Sequence, residues 1–177
     1  VTNDTSRYKL ILFAWPLIQF FLLVGSLISI CWFQHLTVVG AVILMLVQGM
    51  ITGAVGITFA HELMHQKTKL ERFLADVLMA MAFYGHFRTE HVFVHHRYVG
   101  TKKDAVTARF NESFYTFFLR VIPQCLISAW SVEAQKLAAK NKSTFNMSNP
   151  FYTYAALASL FVLFSFMIGG TYGMTLF

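Results

Sequence analysis

The sequence predicts an all-α fold, a polytopic transmembrane helix bundle with a histidine-rich metal site facing the cytoplasm. Three observations carry this. The chain is 56% hydrophobic but only 12% charged, against about 25% charged residues in ordinary soluble domains. Three stretches, at residues 10–33, 36–60 and 151–177, hold no charged residue and are long enough to cross a bilayer at about 20 residues each. Six of the seven histidines crowd between His61 and Thr101, directly after the second stretch.

In order along the chain, a short polar lead carrying Arg7 and Lys9 precedes the first span, in which Pro16 lies in the early turns and Trp32 sits near the far end as an interfacial anchor. Gln34 and His35 form the shortest of breaks, so the first two spans make a tight hairpin, and His35 reads as a solvated turn residue. Gly49, Gly53, Gly56 and Ala60 give the second span one face of small residues suited to close helix contact. No glycine or proline intervenes between Ala60 and Gly85, so the second helix is expected to continue out of the bilayer carrying His61 and His65. Residues 73–87, interrupted by Asp76, are too short to span comfortably and read as a surface or re-entrant helix.

Lys and Arg outnumber Asp and Glu between His61 and Pro150, whereas the hairpin tip at Gln34-His35 is uncharged. The positive-inside rule puts residues 61–150, the metal site and the amino terminus in the cytoplasm. This topology also accounts for most of the net charge of +6, which is therefore not a nucleic-acid footprint. Two amphipathic patterns follow, at residues 114–122 and, beyond Pro123, at 126–137, with Glu and Lys on the second helix's polar side. Such helices lie along the membrane surface or cover the site. The turn at residues 146–150 leads into the third span. Cys31 and Cys125 fit neither a disulfide framework nor an iron–sulfur spacing.

The chemistry sits in two boxes, His61-Glu62-Leu63-Met64-His65 and Glu90-His91-Val92-Phe93-Val94-His95-His96. Histidines four apart stack on one helix face, one turn apart, close enough to share a metal. His61, His65, His91, His95 and His96 are more imidazoles than one tetrahedral ion needs, which favours a two-metal cluster. Imidazole without thiolate suits iron, copper, nickel or zinc. Ligating histidines need their second ring nitrogen held by a carboxylate or carbonyl, and Glu62, Glu90, Asp76 and Asp104 are the nearby carboxylates. His86, five residues before His91, is a candidate to support the ligands from behind.

HELMHQK and EHVFVHHRYVGT resemble the first two histidine boxes of the integral-membrane alkane 1-monooxygenases, within the broader membrane desaturase and hydroxylase group. YGHF and ARFNESFYTFFLRVIP are also similar to that family, and the resemblance runs from about Arg7 to Phe177. It implies two non-haem iron ions, molecular oxygen as co-substrate, and terminal hydroxylation of medium-chain n-alkanes in the bacterial inner membrane. It further implies electrons from rubredoxin and rubredoxin reductase. Val94 stands where the family usually has Gly, and Gln66 where Lys is common; neither is a ligand position. The family's third histidine box would lie beyond Phe177 and its first helices before Val1, so residues 1–177 read as the central part of a longer hydroxylase.

Three alternatives are weaker, one of them a non-enzymatic membrane metal-binding or sensor protein, which gives no reason for large apolar helices aimed at a histidine cluster. A related enzyme acting on xylene or fatty acyl chains would keep the same site. An integral-membrane HExxH zinc protease would use Glu62 as general base, but leaves the second box unexplained. If residues 36–65 form one uniform α-helix at about 100° per residue, then Thr58, Ala54, Met50 and Val47 lie in line beneath His61 and His65. They are the expected wall of a substrate channel.

Overall fold

The computed structural model describes residues 5–177, with side chains from Arg7 onward, and every regular element among the described residues is helical. The chain divides into two compact units, residues 1–83 with 156–177, and residues 84–155. Three helical stretches are long and apolar enough to cross a membrane, Arg7–Phe33, Val38–Met64 and Phe151–Leu176.

In the first unit, α1 (Thr5–Ile28) runs into a π-helical turn at Ser29–Phe33 and ends on Gln34 at φ 50°. The hairpin expected at Gln34-His35 is therefore present. Thr37 then caps α2 (Val38–Met50), its hydroxyl accepting from the Gly40 amide at 3.1 Å. A second π turn, Ile51–Gly56, separates α2 from α3 (Ile57–Met64), with the Ile57 amide reaching back five residues to the Thr52 carbonyl. The second span is thus not a uniform α-helix. Nor does it continue past the first box: α3 stops at Met64, and His65 is its capping residue. The stop signal is polar rather than glycine or proline. Thr68 and Glu71 form a capping box that starts α4 (Lys69–Met81).

α4 packs on α3 and α1. Leu23, Leu27 and Met81 form the buried centre of this unit, with Phe20, Val77, Phe161 and Ile168 around them. Where such a core faces lipid, close contact rather than exclusion of water holds it together. Gln19 is fully buried there; the Trp15 indole donates to its Oε1 at 2.9 Å, and Gly56 leaves the room that its carboxamide occupies.

The third span, within α8 (Phe151–Leu176), is interrupted at Gly169 and Gly170. Gly170 has φ 60° and ψ −146°, a backbone region essentially reserved for glycine. The part before the break, residues 151–168, measures about 27 Å at ~1.5 Å per residue, just short of a hydrocarbon core of about 30 Å. The interruption frees the Ile168 carbonyl, which accepts from the Trp32 indole at 2.7 Å. The tail folds back, so that Gly173 abuts the Ser165 carbonyl and Phe177 stacks on Phe161 with ring centres 6.0 Å apart.

In the second unit, α5 (Phe87–Glu90), a third π turn (His91–His95) and α6 (His96–Tyr98) form one short helical rod. It packs on α7 (Phe114–Ala138). The sequence suggested two helices divided by Pro123, but α7 passes through the proline without interruption. Its buried positions, Val121, Cys125, Ala129, Glu133 and Leu137, form one stripe four residues apart across the proline, so packing holds the helix where one hydrogen bond is missing. Glu133, expected on the polar side, belongs to that buried stripe. Phe114, Phe118, Leu119, Ile122 and Leu126 are exposed, leaving an apolar face suited to lying on a membrane.

Candidate metal centre

The first box straddles the end of α3. His61 lies in the last helical turn and His65 caps it, with ring centres 4.7 Å apart and planes at 71°. The i, i+4 spacing does bring the two imidazoles together. Glu62, between them, has its Oε2 2.6 Å from the donating Tyr8 hydroxyl, while Oε1 lies 3.7 Å from His61 Nδ1. Tyr8 had no sequence signal, because the contact joins the start of α1 to the end of α3. Asp76 is buried in α4.

The second box is shaped by its π turn. In a regular α-helix His96 would stand about 140° around from His91. Here the His96 amide donates to the His91 carbonyl, the i to i+5 bond of a π-helix that sets residues five apart one turn above each other. Nε2 of His96 consequently sits 3.0 Å from Nε2 of His91, and the His91 and His95 rings stack at 5.3 Å. Three imidazoles therefore share one face, where α-helical spacing would have aligned only two. Single-turn π-bulges occur frequently at functional sites.

His95 is held from behind. Asp104 Oδ2 lies 3.0 Å from His95 Nδ1 and also accepts from the Thr107 hydroxyl at 2.5 Å, while Oδ1 accepts from the Val106 amide at 3.1 Å. The Asp104 side chain is buried, so this is not the surface ion pair that a loop aspartate usually forms. Such a carboxylate fixes the ring's tautomer and leaves Nε2 for a metal.

Glu90 and His86 complete the surroundings within this unit. Glu90 is fully buried, and neither of its carboxylate oxygens has a hydrogen-bond partner; His86 Nε2 is likewise buried and unpartnered. Burial, then the Asp104 carboxylate, push the Glu90 pKa up to about 7, against smaller opposing effects of His95 and of the neighbouring Cys125 thiol. Burial holds His86 below the ordinary histidine range and pushes the Cys125 thiol up to about 12. Orphaned polar atoms are costly in a native interior. Beside a set of imidazoles with no thiolate among the candidate ligands, they fit a divalent transition metal such as iron. Deeper still, the Thr89 hydroxyl contacts Glu133 Oε1 at 3.1 Å and the Tyr154 hydroxyl at 2.9 Å. This network has no local sequence signature beyond a carboxylate on the apolar stripe of α7.

The proposed channel residues are all exposed on the surface of the first unit: Val47 at 47%, Met50 at 72%, and Ala54 and Thr58 also open. The π turn at Ile51–Gly56 also breaks the uniform 100° count used to align them, so Val47 and Met50 are rotated relative to His61.

The fatty acid desaturase family profile matches residues 34–177. Alkane 1-monooxygenase 2 of Pseudomonas aeruginosa is 35% identical over 122 residues, 68% of this chain and 32% of the relative. Alkane 1-monooxygenase of Ectopseudomonas oleovorans is 37% identical over 131 residues, 70% of this chain and 32% of the relative. The hydroxylase component of the xylene/toluene monooxygenase of Pseudomonas putida is 35% identical over 109 residues, 60% and 29% of the two chains. The chain spans about a third of the length of these curated relatives. The profile match covers both histidine boxes and two of the three candidate spans, and on that ground the chain belongs to the fatty acid desaturase family as an integral membrane protein.

Proposed function

We propose that this chain forms part of a non-haem di-iron monooxygenase that hydroxylates the terminal carbon of medium-chain n-alkanes. His61, His65, His91, His95 and His96 would supply the imidazole ligands in hand. Two bound irons would supply the activation of molecular oxygen and the oxidation of an unactivated C–H bond, with electrons delivered by rubredoxin and rubredoxin reductase. The observation that carries the reading is the second box, three imidazoles gathered on one face by a π turn with Asp104 fixing His95. The named activities of the relatives support it, as does an apolar approach through lipid-facing helices.

The chain's own residues do the preparatory work in this reading. Asp104 holds His95 in one tautomer, and Glu90 and His86 keep a buried polar wall beside the ligands. The surrounding apolar helices admit an alkane while limiting water. The Lys and Arg excess between residues 61 and 150 supports a site on the cytoplasmic face of the bacterial inner membrane, where soluble reductants have access. Thr58, Ala54, Met50 and Val47 are the proposed approach of the chain-like substrate, along a path that turns at the π-helical segment rather than down one straight face. A zinc protease is disfavoured by the oxidoreductase names of the relatives and by the engagement of Glu62 with Tyr8. Oxidation of the methyl group of xylene is the second reading, favoured by the xylene/toluene relative. Metal analysis and product analysis of the full-length protein test the proposal. Two irons per chain with 1-alkanol formed from octane and oxygen are expected; one zinc and no alkanol would overturn it.

A further inference from the structure

A polar cavity opens where the end of α7 and the loop after it meet Arg88 and Phe93 of the short helical rod. It has a volume of about 260 Å³ and is lined by Arg88, Lys136, Lys140, Lys142, Ser148 and Pro150, among others. Four cations line it against one carboxylate, Glu133, and that carboxylate is already engaged. Its Oε1 takes both Lys136 Nζ at 2.8 Å and the Thr89 hydroxyl at 3.1 Å. The cavity is therefore strongly cationic while its single acid is committed to the interior.

The cavity walls are built rather than loose. Lys142 Nζ donates to Ser148 Oγ at 3.0 Å, the Asn149 side chain bonds the Thr144 carbonyl at 2.9 Å, and the Tyr152 hydroxyl bonds the Phe145 carbonyl at 3.0 Å. Lys136 is also held 3.8 Å over the ring of Phe93. These contacts fix the loop between α7 and α8 so that its lysines converge on one concavity.

The location defines the occupant. Pro150 immediately precedes Phe151, where the third candidate span begins, which sets the cavity at the level of the lipid headgroups. The same loop exposes Phe145 at 71% and Met147 at 80%, apolar side chains suited to immersion in the acyl boundary beside lysines that stay with the phosphates. A space of this size is below that of a drug-sized ligand site and suits a headgroup, and its concave form suits a small anion better than the flat face of an acidic protein. Basic pockets beside transmembrane helices bind anionic headgroups, each nearby Lys or Arg adding to the attraction. From these observations we infer that the Arg88, Lys136, Lys140, Lys142 and Ser148 cavity binds the phosphate of an anionic phospholipid headgroup, seating the α7–α8 loop on the membrane surface.

The test is native mass spectrometry of the detergent-purified full-length protein titrated with phosphatidylglycerol or phosphatidylcholine, with inorganic phosphate as competitor. Phosphatidylglycerol should be retained over phosphatidylcholine, and the Lys140→Gln/Lys142→Gln variant should weaken its binding about tenfold. A Lys102→Gln/Lys103→Gln control, outside the cavity, should change it less than twofold. If the double variant does not fold, Lys140→Gln alone should still weaken binding about threefold, since Lys140 is exposed. Equal retention of the two lipids, or unchanged binding in the folded variant, would overturn the inference. Displacement by inorganic phosphate at concentrations equal to the lipid would overturn the lipid as the source of the phosphate.

Discussion

Asp104 Oδ2 sits 3.0 Å from His95 Nδ1, and both Asp104 oxygens have further donors in Thr107 and Val106. The carboxylate is thus fixed before it fixes the imidazole. Asp104→Asn keeps the shape but replaces an acceptor with an amide, so His95 loses its preferred tautomer. Iron affinity should fall about 10- to 100-fold, measured by iron retained against a competing chelator, while helix content by circular dichroism stays near that of the parent protein.

Single replacement of His61, His65, His91, His95 or His96 by Ala should lower bound iron and abolish hydroxylation in the full-length protein. His35→Ala should leave both unchanged, because His35 is exposed in the Gln34 turn with Phe33 as its ring neighbour. Any of the five variants with normal iron and normal turnover leaves the ligand set.

Glu112 and Arg120 give a pH dependence of known sign. Arg120 Nε and Nη2 donate to the two Glu112 oxygens, each at 2.7 Å, and this holds the Glu112 pKa down to about 2. A carboxylate depressed on folding stabilises the native state above its unfolded value of about 4.3, and that contribution fades as pH falls through about 2. Protection of residues 104–113 against hydrogen exchange, taken relative to the intrinsic rate at each pH, should fall as pH is lowered between those limits. Glu112→Gln should show the faster exchange already at neutral pH and lose the acid transition.

Gly85 faces Tyr154, and a Cβ placed there would stand 2.8 Å from the Tyr154 Cβ and 3.4 Å from its Cα. Neither atom is a flexible chain end, and Tyr154 is buried. Gly85→Ala should destabilise the protein by about 1–3 kcal/mol through overpacking, read as a lowered melting temperature in detergent. An unchanged melting temperature would mean that the start of α8 yields more easily than its burial implies.

Ala54 is open to its surroundings in the first unit, so Ala54→Phe should fold and load iron normally. On the proposed substrate path it should shorten the longest alkane hydroxylated while sparing shorter ones. An unchanged chain-length profile would place the path on another face.

Much of this was readable from residue order because the signals are long or local. Uncharged runs mark the spans, and the i, i+4 histidines do pair. The remainder depends on contacts between distant residues. Pro123 does not end its helix because Val121, Cys125 and Ala129 are packed on both sides of it. Glu133 turns inward because Thr89, remote in sequence, offers it a donor. α3 ends at Met64 with His65 as its cap, and Thr68, beyond the box itself, starts α4. Gly169 and Gly170 resemble the other small residues of an apolar run, and only the indole of Trp32 and the returning tail reveal why a break is stable there.

The π turn at His91–His95 sets how the two sides of the second box are wound against each other. Loss of one codon between His91 and His96 would restore ordinary α-helical winding, with the two later histidines three and four residues after the first and all three still on one face. What would change is register: everything after the deletion would turn by about 100° relative to Glu90 and His86. In such a gene every imidazole would still be encoded, and the two halves of the box would meet out of step.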